Sequence, residues 1–96
     1  MKLHELVDAV TDENSFLAFV KALRKDRELA AAAEKVSELG MFAPAQRGWE
    51  NSTIESFLGA ACSWAEDTRF GATQDLESAS SWRKFAVFLY CGKIYE

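Results

Sequence analysis

The chain has 96 residues, of which 49% are hydrophobic, 12% aromatic and 27% charged. That length suits one domain and is too short for two good cores, and the apolar content excludes intrinsic disorder over most of the chain. The formal net charge of −4 disfavours nucleic acids and anionic membranes, since an acidic surface repels phosphate groups, and it favours a basic partner.

The N-terminal residues predict a short helix rather than a targeting segment. Apolar side chains recur at helical spacing over residues 3–10. Glu5 and Asp8 interrupt the apolar run that a signal peptide would need, and no stretch of the chain approaches the length of a transmembrane helix. A cytoplasmic location without membrane contact is therefore expected.

A second helix is predicted to begin near Glu13. Its apolar residues over 16–23 share one face, whereas Leu29 lies almost opposite that face at about 100° per residue. These two faces predict a bend or break within residues 25–28, or a helix wedged between two neighbours. Three side chains near the start of this helix are candidate N-caps: Thr11, Asp12 and Asn14.

The same stretch carries a local run of basic residues, which Asp26 interrupts. A solvated helix face is the expected explanation, because a charge pattern alone is weak evidence of a nucleic-acid site. The basic residues are Lys21, Arg24, Lys25 and Arg27.

Residues 41–48 are predicted to form a loop. Gly40 precedes the loop at a position where glycine commonly terminates a helix, and Pro44 lies within it. Met41 and Phe42 are expected to pack back onto the core.

The clearest helix in the chain follows this loop. Ser52 and Glu55 have the spacing of a capping box, in which each side chain accepts a hydrogen bond from the other residue's backbone N–H. The helix is expected to end within residues 67–71. The polar residues 68–81 that overlap and follow its end are predicted to form a long, mobile loop.

Ser80 or Ser81 is predicted to cap a final helix over about residues 82–95. Its apolar side chains cover more than one face, so the helix is expected to be either central in its domain or covered by another chain. No segment shows the clear alternation of a strand. The sequence therefore predicts an all-α, compact bundle of four to five helices that forms a single domain over residues 1–96.

The sequence contains no motif of a catalytic, cofactor or metal site. Its glycines form no phosphate-binding loop, and His4 is the only histidine, so neither a catalytic triad nor a zinc site is expected. Cys62 and Cys91 are predicted to be reduced and buried. No catalytic, cofactor-binding or metal-binding residue is assigned, and no cofactor is expected.

Four carboxylates could in principle supply an acid and a base, which leaves a small enzyme as the weakest hypothesis. Roles at helix ends explain them more simply, because acidic side chains favour a helix N-terminus and are readily solvated. A buried cluster of two or more would favour the enzyme. The four are Glu50, Glu55, Glu66 and Asp67.

Three tryptophans, Trp49, Trp64 and Trp82, allow two interpretations. The simpler one places all three in the core or half-buried, each donating its indole N–H to a nearby carbonyl. The alternative makes one or two of them exposed anchors for a partner, because tryptophan is enriched at binding hot spots.

Three local patterns in the C-terminal half occur together. They are Gly-Trp-Glu-Asn at residues 48–51 before a capped helix, Ser-Trp-Ala-Glu-Asp at 63–67, and Ser-Trp at 81–82 with a closing Lys-Ile-Tyr-Glu. Together they resemble a family of short bacterial proteins known only as a domain of unknown function. The resemblance implies a bacterial origin and a helical fold, and it implies no activity. Small proteins of this kind often belong to toxin–immunity or contact-dependent systems, which is an analogy.

The leading functional hypothesis is a non-enzymatic protein-interaction module, with immunity-like binding to a basic partner such as a nuclease toxin. The alternative is a homodimeric structural or regulatory protein whose last helix faces the other subunit through Val87, Tyr90 and Ile94. The residues predicted to bind a partner are Trp49, Glu50, Glu66, Asp67, Phe70, Tyr90 and Ile94.

Overall fold

Four α-helices account for most of the structure. The structure is a computed structural model that describes residues 2–38 and 48–95, with the backbone alone over 34–38. A 3₁₀ turn, Ala72–Gln74, lies between the last two helices, and the described residues form one compact globule without a strand. The all-helical fold is confirmed. The helices are α1 (Leu3–Asp8), α2 (Glu13–Glu38), α3 (Ile54–Thr68) and α4 (Ser81–Ile94).

Asp12 caps α2, and it is one of the three N-cap residues that the sequence suggested. Its carboxylate accepts a hydrogen bond from the Ser15 backbone N–H at 2.9 Å. The Ser15 hydroxyl in turn accepts from the backbone N–H groups of Thr11 and Asp12. These hydrogen bonds from Ser15 to the ionised form lower the pKa of Asp12.

α2 is one continuous helix, so the predicted break within residues 25–28 is wrong. The buried stripe runs from Phe19 and Leu23 through Asp26 to two alanines further along. Leu29, which motivated the break, is 43% exposed. α2 does not have to bury a second face, because Asp26 occupies a position in its buried stripe and Leu29 stays at the surface.

The cap of α3 differs from the predicted one. Thr53 is the N-cap, and its hydroxyl accepts from the Ser56 backbone N–H at 3.1 Å, while the Ser56 hydroxyl accepts from the Thr53 N–H at 3.2 Å. The capping box is therefore Thr53–Ser56 rather than Ser52–Glu55. The two boxes differ by one residue, and both satisfy the same kind of free backbone donor at the helix start.

The connection between α3 and α4 has hydrogen bonds of its own. The Trp64 indole N–H donates to the Gln74 side chain at 2.8 Å, and the Gly71 backbone N–H donates to the buried Thr68 hydroxyl at 2.8 Å. Ser80 accepts from the Arg83 backbone N–H and caps α4, which confirms one of the two predicted caps. Mobility of residues 68–81 stays a prediction.

α4 is the central helix of the fold. It contacts α1, α2 and α3, whereas no Cα atom of α2 lies within 8 Å of one in α3 among the described residues. A central position, one of the two explanations for its broad apolar surface, is therefore confirmed. The core comprises Val7, Val10, Phe19, Leu23, Ala30, Trp49 and Ala86.

Several expectations fall outside the described residues. They concern helix termination at Gly40, the loop with Pro44, and the packing of Met41 and Phe42. Within residues 2–38 and 48–95, no helix is both long and apolar enough to cross a bilayer.

Two helical glycines provide a matched test of how closely α3 and α4 pack. A Cβ at Gly92 would lie 2.8 Å from the Phe57 ring, whereas a Cβ at Gly59 would meet nothing within 4 Å. We expect Gly59→Ala to stabilise the protein by up to about 1 kcal/mol, because alanine favours a helix interior. Gly92→Ala should destabilise it by about 1 kcal/mol or more, because overpacking exceeds that gain.

Urea denaturation of both variants measures the two effects. Equal shifts of the unfolding midpoint in the two variants would contradict the close approach of α3 to α4 at Gly92.

Candidate functional site

A buried ion pair connects α2 to α4. The Lys93 Nζ lies 2.8 Å from the Asp26 Oδ2, and each side chain is 9% exposed. The indole N–H of Trp49 donates to the same carboxylate oxygen at 2.8 Å. Charges this far removed from water need partners, so the three side chains form one mutually dependent unit. Of these three residues, only Trp49 is among the residues predicted from the sequence to bind a partner.

The burial of Asp26 changes the surface charge of α2. Lys21, Arg24 and Lys25 lie at the surface, as predicted, and Arg27 is half-buried, but the carboxylate that interrupts this run in the sequence is buried. Within residues 21–28, Glu28 is the carboxylate left at the surface, with its Oε1 3.5 Å from the Arg24 Nε. We call Lys21, Arg24 and Arg27 the basic band, whereas Lys25 lies on another side of α2.

Trp49 is packed rather than exposed. It is 8% exposed, and its ring stacks on Phe57 with the ring centroids 6.0 Å apart. The Arg27 guanidinium lies 5.4 Å from the Trp49 ring centroid and the Lys93 ammonium 5.5 Å from it. Both cations are attracted to the electron-rich ring face. Trp49 is therefore a core residue in this structure, as the simpler interpretation of the tryptophans predicts.

The two residues after Trp49 connect the segment before α3 to the end of α4 by hydrogen bonds. The Asn51 side-chain amide donates to the backbone oxygens of Gly92 at 3.1 Å and Tyr95 at 2.8 Å. The Glu50 backbone N–H donates to the Lys93 carbonyl at 3.0 Å. These bonds satisfy carbonyls that a helix C-terminus leaves without partners. The Trp-Glu-Asn pattern and the closing segment of the chain are thus in contact.

A trough runs between α2 and α3. α4 underlies it with Leu89, and the trough has a volume of about 440 Å³. Ile54 and Leu58 on its α3 wall are 78% and 49% exposed, and Arg24 and Arg27 stand on its α2 wall. The described lining contains no carboxylate. The lining residues are Val20, Leu23, Arg24, Arg27, Trp49, Asn51, Ser52, Thr53, Ile54, Phe57, Leu58 and Leu89.

An aromatic strip adjoins the trough. The Phe16 and Trp82 ring centroids are 5.4 Å apart, those of Trp82 and Phe85 6.5 Å, and those of Phe85 and Phe70 6.4 Å. Trp82 is 37% exposed, Phe85 48% and Phe70 36%. Phe85 lies one helical turn before Leu89, so the strip leads along α4 into the trough.

A second concave surface lies on the opposite side of α2 and has a volume of about 550 Å³. Asp26 and Lys93 contribute to it, whereas Trp49 lines the trough. The buried ion pair therefore borders the second surface, and Trp49, which donates to Asp26, borders the trough. The second surface is lined by Lys2, Leu3, His4, Ala22, Lys25, Asp26, Leu29, Tyr90 and Lys93.

The apolar residues predicted to bind a partner lie in different places. Trp49 lines the trough from a buried position, and Phe70 belongs to the aromatic strip. Tyr90 is half-buried and lines the second concave surface, and Ile94 is 41% exposed near the end of α4. The sequence therefore identified four residues that lie in separate places rather than in one site.

The acidic residues predicted to bind a partner are all exposed. Glu50, Glu66 and Asp67 lie at the surface, and so does Glu55. Asp67 accepts a hydrogen bond from the Tyr95 hydroxyl, which raises the pKa of Tyr95. The buried cluster that would favour an enzyme is not formed by these four carboxylates.

The two cysteines have different environments. Cys91 is buried, as predicted, and burial raises the pKa of its thiol to about 11. Cys62 is exposed, so the prediction of burial is wrong for this residue. It lies on the outer face of α3, one turn beyond the exposed Leu58. Among the described residues, no three His, Cys, Asp or Glu side chains are grouped so that they could hold a metal ion.

The comparison with known proteins gives one match. No curated protein sequence and no solved structure matches the chain. The family model of DUF7660, described as a family of unknown function, matches residues 12–96. The match extends well beyond the C-terminal half that carried the resemblance, and it includes the buried ion pair, Trp49 and the trough. The chain therefore belongs to DUF7660, a family of unknown function.

Proposed function

We propose that the chain is a non-enzymatic protein-interaction module that receives an apolar helix of a partner protein in the trough. The separation of α2 from α3 carries this proposal, because it leaves an apolar channel between two helices that a third helix could fill. An amphipathic helix laid into a hydrophobic groove is a recurring mode of peptide recognition.

The exposed apolar area supports the same proposal. Ile54 and Leu58 border the trough, and Trp82 and Phe85 extend it along α4, all with more than a third of their surface exposed. A contiguous apolar patch of this kind usually marks an interaction surface in a small protein. Aromatic residues also dominate the energetics of many protein interfaces.

Two narrower functional hypotheses stay open. Immunity-like binding to a basic partner draws support from the net charge of −4. A homodimer that uses the last helix draws support from Ile94, which is 41% exposed near the end of α4. Light scattering at high protein concentration tests the dimer, and a strictly monomeric mass would end that alternative.

A matched pair of variants tests the trough. Leu58→Asp places a charge on the α3 wall, and Leu29→Asp places one on the opposite side of α2; the two leucines are 49% and 43% exposed. Because both side chains are at the surface, both variants should remain folded, which circular dichroism checks. The protein is used to capture partners from cells that naturally produce it.

We expect Leu58→Asp to lose at least about tenfold in affinity for a partner that the unaltered protein captures, because a charge would be buried at the interface. Leu29→Asp should retain that partner. Equal retention by both variants, or equal loss, would rule out the trough as the binding surface.

A further inference from the structure

The basic band gives one wall of the trough a positive charge. Arg24 and Arg27 line the trough itself, and the exposed Lys21 lies about one helical turn before Arg24 on α2. The side chain that would cancel much of this charge, Asp26, is 9% exposed and held by Lys93 in the core. The described lining of the trough therefore carries two arginines and no carboxylate, whereas the whole chain has a net charge of −4.

We propose that the helix received by the trough is acidic: its apolar face packs against the trough, and carboxylates beside that face contact the basic band. This inference rests on the proposed function and specifies the chemistry of the partner. It also reverses the expectation from the net charge, which favoured a basic partner.

Arg24 is suited to contact a carboxylate at an interface. Arg24 faces Glu28 at 3.5 Å, but their side chains are 82% and 57% exposed, and such a surface pair contributes little. Exchanging Glu28 for a partner carboxylate therefore costs little. Arg27 lies against the Trp49 ring, which restrains its guanidinium beside the apolar lining. Arginine can bind a carboxylate with two parallel hydrogen bonds.

An acidic protein fits this surface better than a nucleic acid does. The trough between the arginines and the α3 wall is apolar, with Ile54 and Leu58 facing it. A phosphate backbone carries no apolar face to cover these side chains, and the net charge of −4 repels it at longer range. A helix with leucines on one face and glutamates beside them satisfies both requirements.

Two synthetic peptides test the inference. Both are long enough for about four helical turns and carry the same leucine pattern, but one has glutamates beside the apolar face and the other has lysines. Fluorescence anisotropy of labelled peptides measures binding to the full chain. We expect the glutamate peptide to bind at least about tenfold more tightly at low salt, and this preference to shrink as salt rises.

Charge reversal at Arg24 supplies the matched variant. Arg24→Glu should weaken the glutamate peptide about tenfold and should not weaken the lysine peptide, because a like charge then faces the glutamates. Arg69→Gln is the control, since it removes a cation from the exposed connection between α3 and α4. It should leave both affinities within about twofold, because it lies away from the trough.

The possible results separate the inference from the function on which it rests. Tighter binding of the glutamate peptide that depends on Arg24 supports the inference. Equal binding of both peptides, or a preference for lysines, overturns the inference and leaves the trough as a binding site. Failure of both peptides to bind overturns the inference and the proposed function together. Displacement of the glutamate peptide by a single-stranded oligonucleotide overturns the acidic helix in favour of a nucleic acid.

Discussion

Asp26→Ala is expected to destabilise the protein by about 3–5 kcal/mol, a large share of the stability of a domain this size. The substitution leaves the Lys93 ammonium in the core without the carboxylate that lies 2.8 Å from it. It also removes the acceptor of the Trp49 indole N–H. The cost arises mainly from the buried groups left behind rather than from the lost attraction.

The double variant Asp26→Ala, Lys93→Met is the control for this explanation. Methionine keeps much of the aliphatic length of lysine and removes the charge, so adding it to Asp26→Ala should cause no further loss of stability. Urea denaturation provides the free energy of unfolding of each single variant and of the double variant. Additive losses would contradict coupling between the two side chains. A loss below about 1 kcal/mol in Asp26→Ala would contradict the buried pair itself.

The helices could be predicted from the sequence because apolar residues recur at their spacing. Ser80 and Asp12 could be named as cap candidates because capping depends only on residues next to the helix start. The cap of α3 was misplaced by one residue, because Ser52–Glu55 and Thr53–Ser56 both have the required spacing. The choice between them depends on where the preceding segment is held, which the hydrogen bonds of Asn51 to α4 determine.

The continuity of α2 could not be predicted from the apolar pattern alone. The pattern counted Leu29 as a core residue and Asp26 as a surface residue, and the structure reverses both. The spacing of Asp26 does indicate a core position, since it lies three residues after Leu23 and four before Ala30, within the apolar stripe. Lys93 likewise lies four residues after Leu89 on α4. An opposite pair of charges, each within an apolar stripe, indicates a buried ion pair.

The trough could not be predicted because it depends on how the helices are arranged. Sequence periodicity indicates which face of each helix is apolar, but not that α2 and α3 remain apart while both contact α4. The same limit explains why the net charge favoured a basic partner. A sum over the whole chain contains no information about Asp26 pointing inward and leaving the basic band at the surface.

Trp64→Ala should cost about 3–5 kcal/mol, whereas Trp82→Ala should cost about 1 kcal/mol. Trp64 is 1% exposed and is among the largest fully buried side chains, so its truncation leaves a cavity that the surrounding helices can only partly fill. Trp82 is 37% exposed and loses mainly its ring contacts with Phe16 and Phe85. Sequence reading could not rank the two residues.

Trp64→Phe separates the cavity from the hydrogen bond to Gln74. Phenylalanine retains a ring but cannot donate at 2.8 Å as the indole N–H does, and the exposed Gln74 can bind water instead. We therefore expect Trp64→Phe to be clearly less destabilising than Trp64→Ala in urea denaturation, because most of the cost follows the lost ring volume. Equal losses in these two variants would place the cost in the hydrogen bond. A loss in Trp82→Ala as large as that in Trp64→Ala would mean that the aromatic strip supports the fold as much as the core does, and would weaken its assignment as a surface left open for a partner.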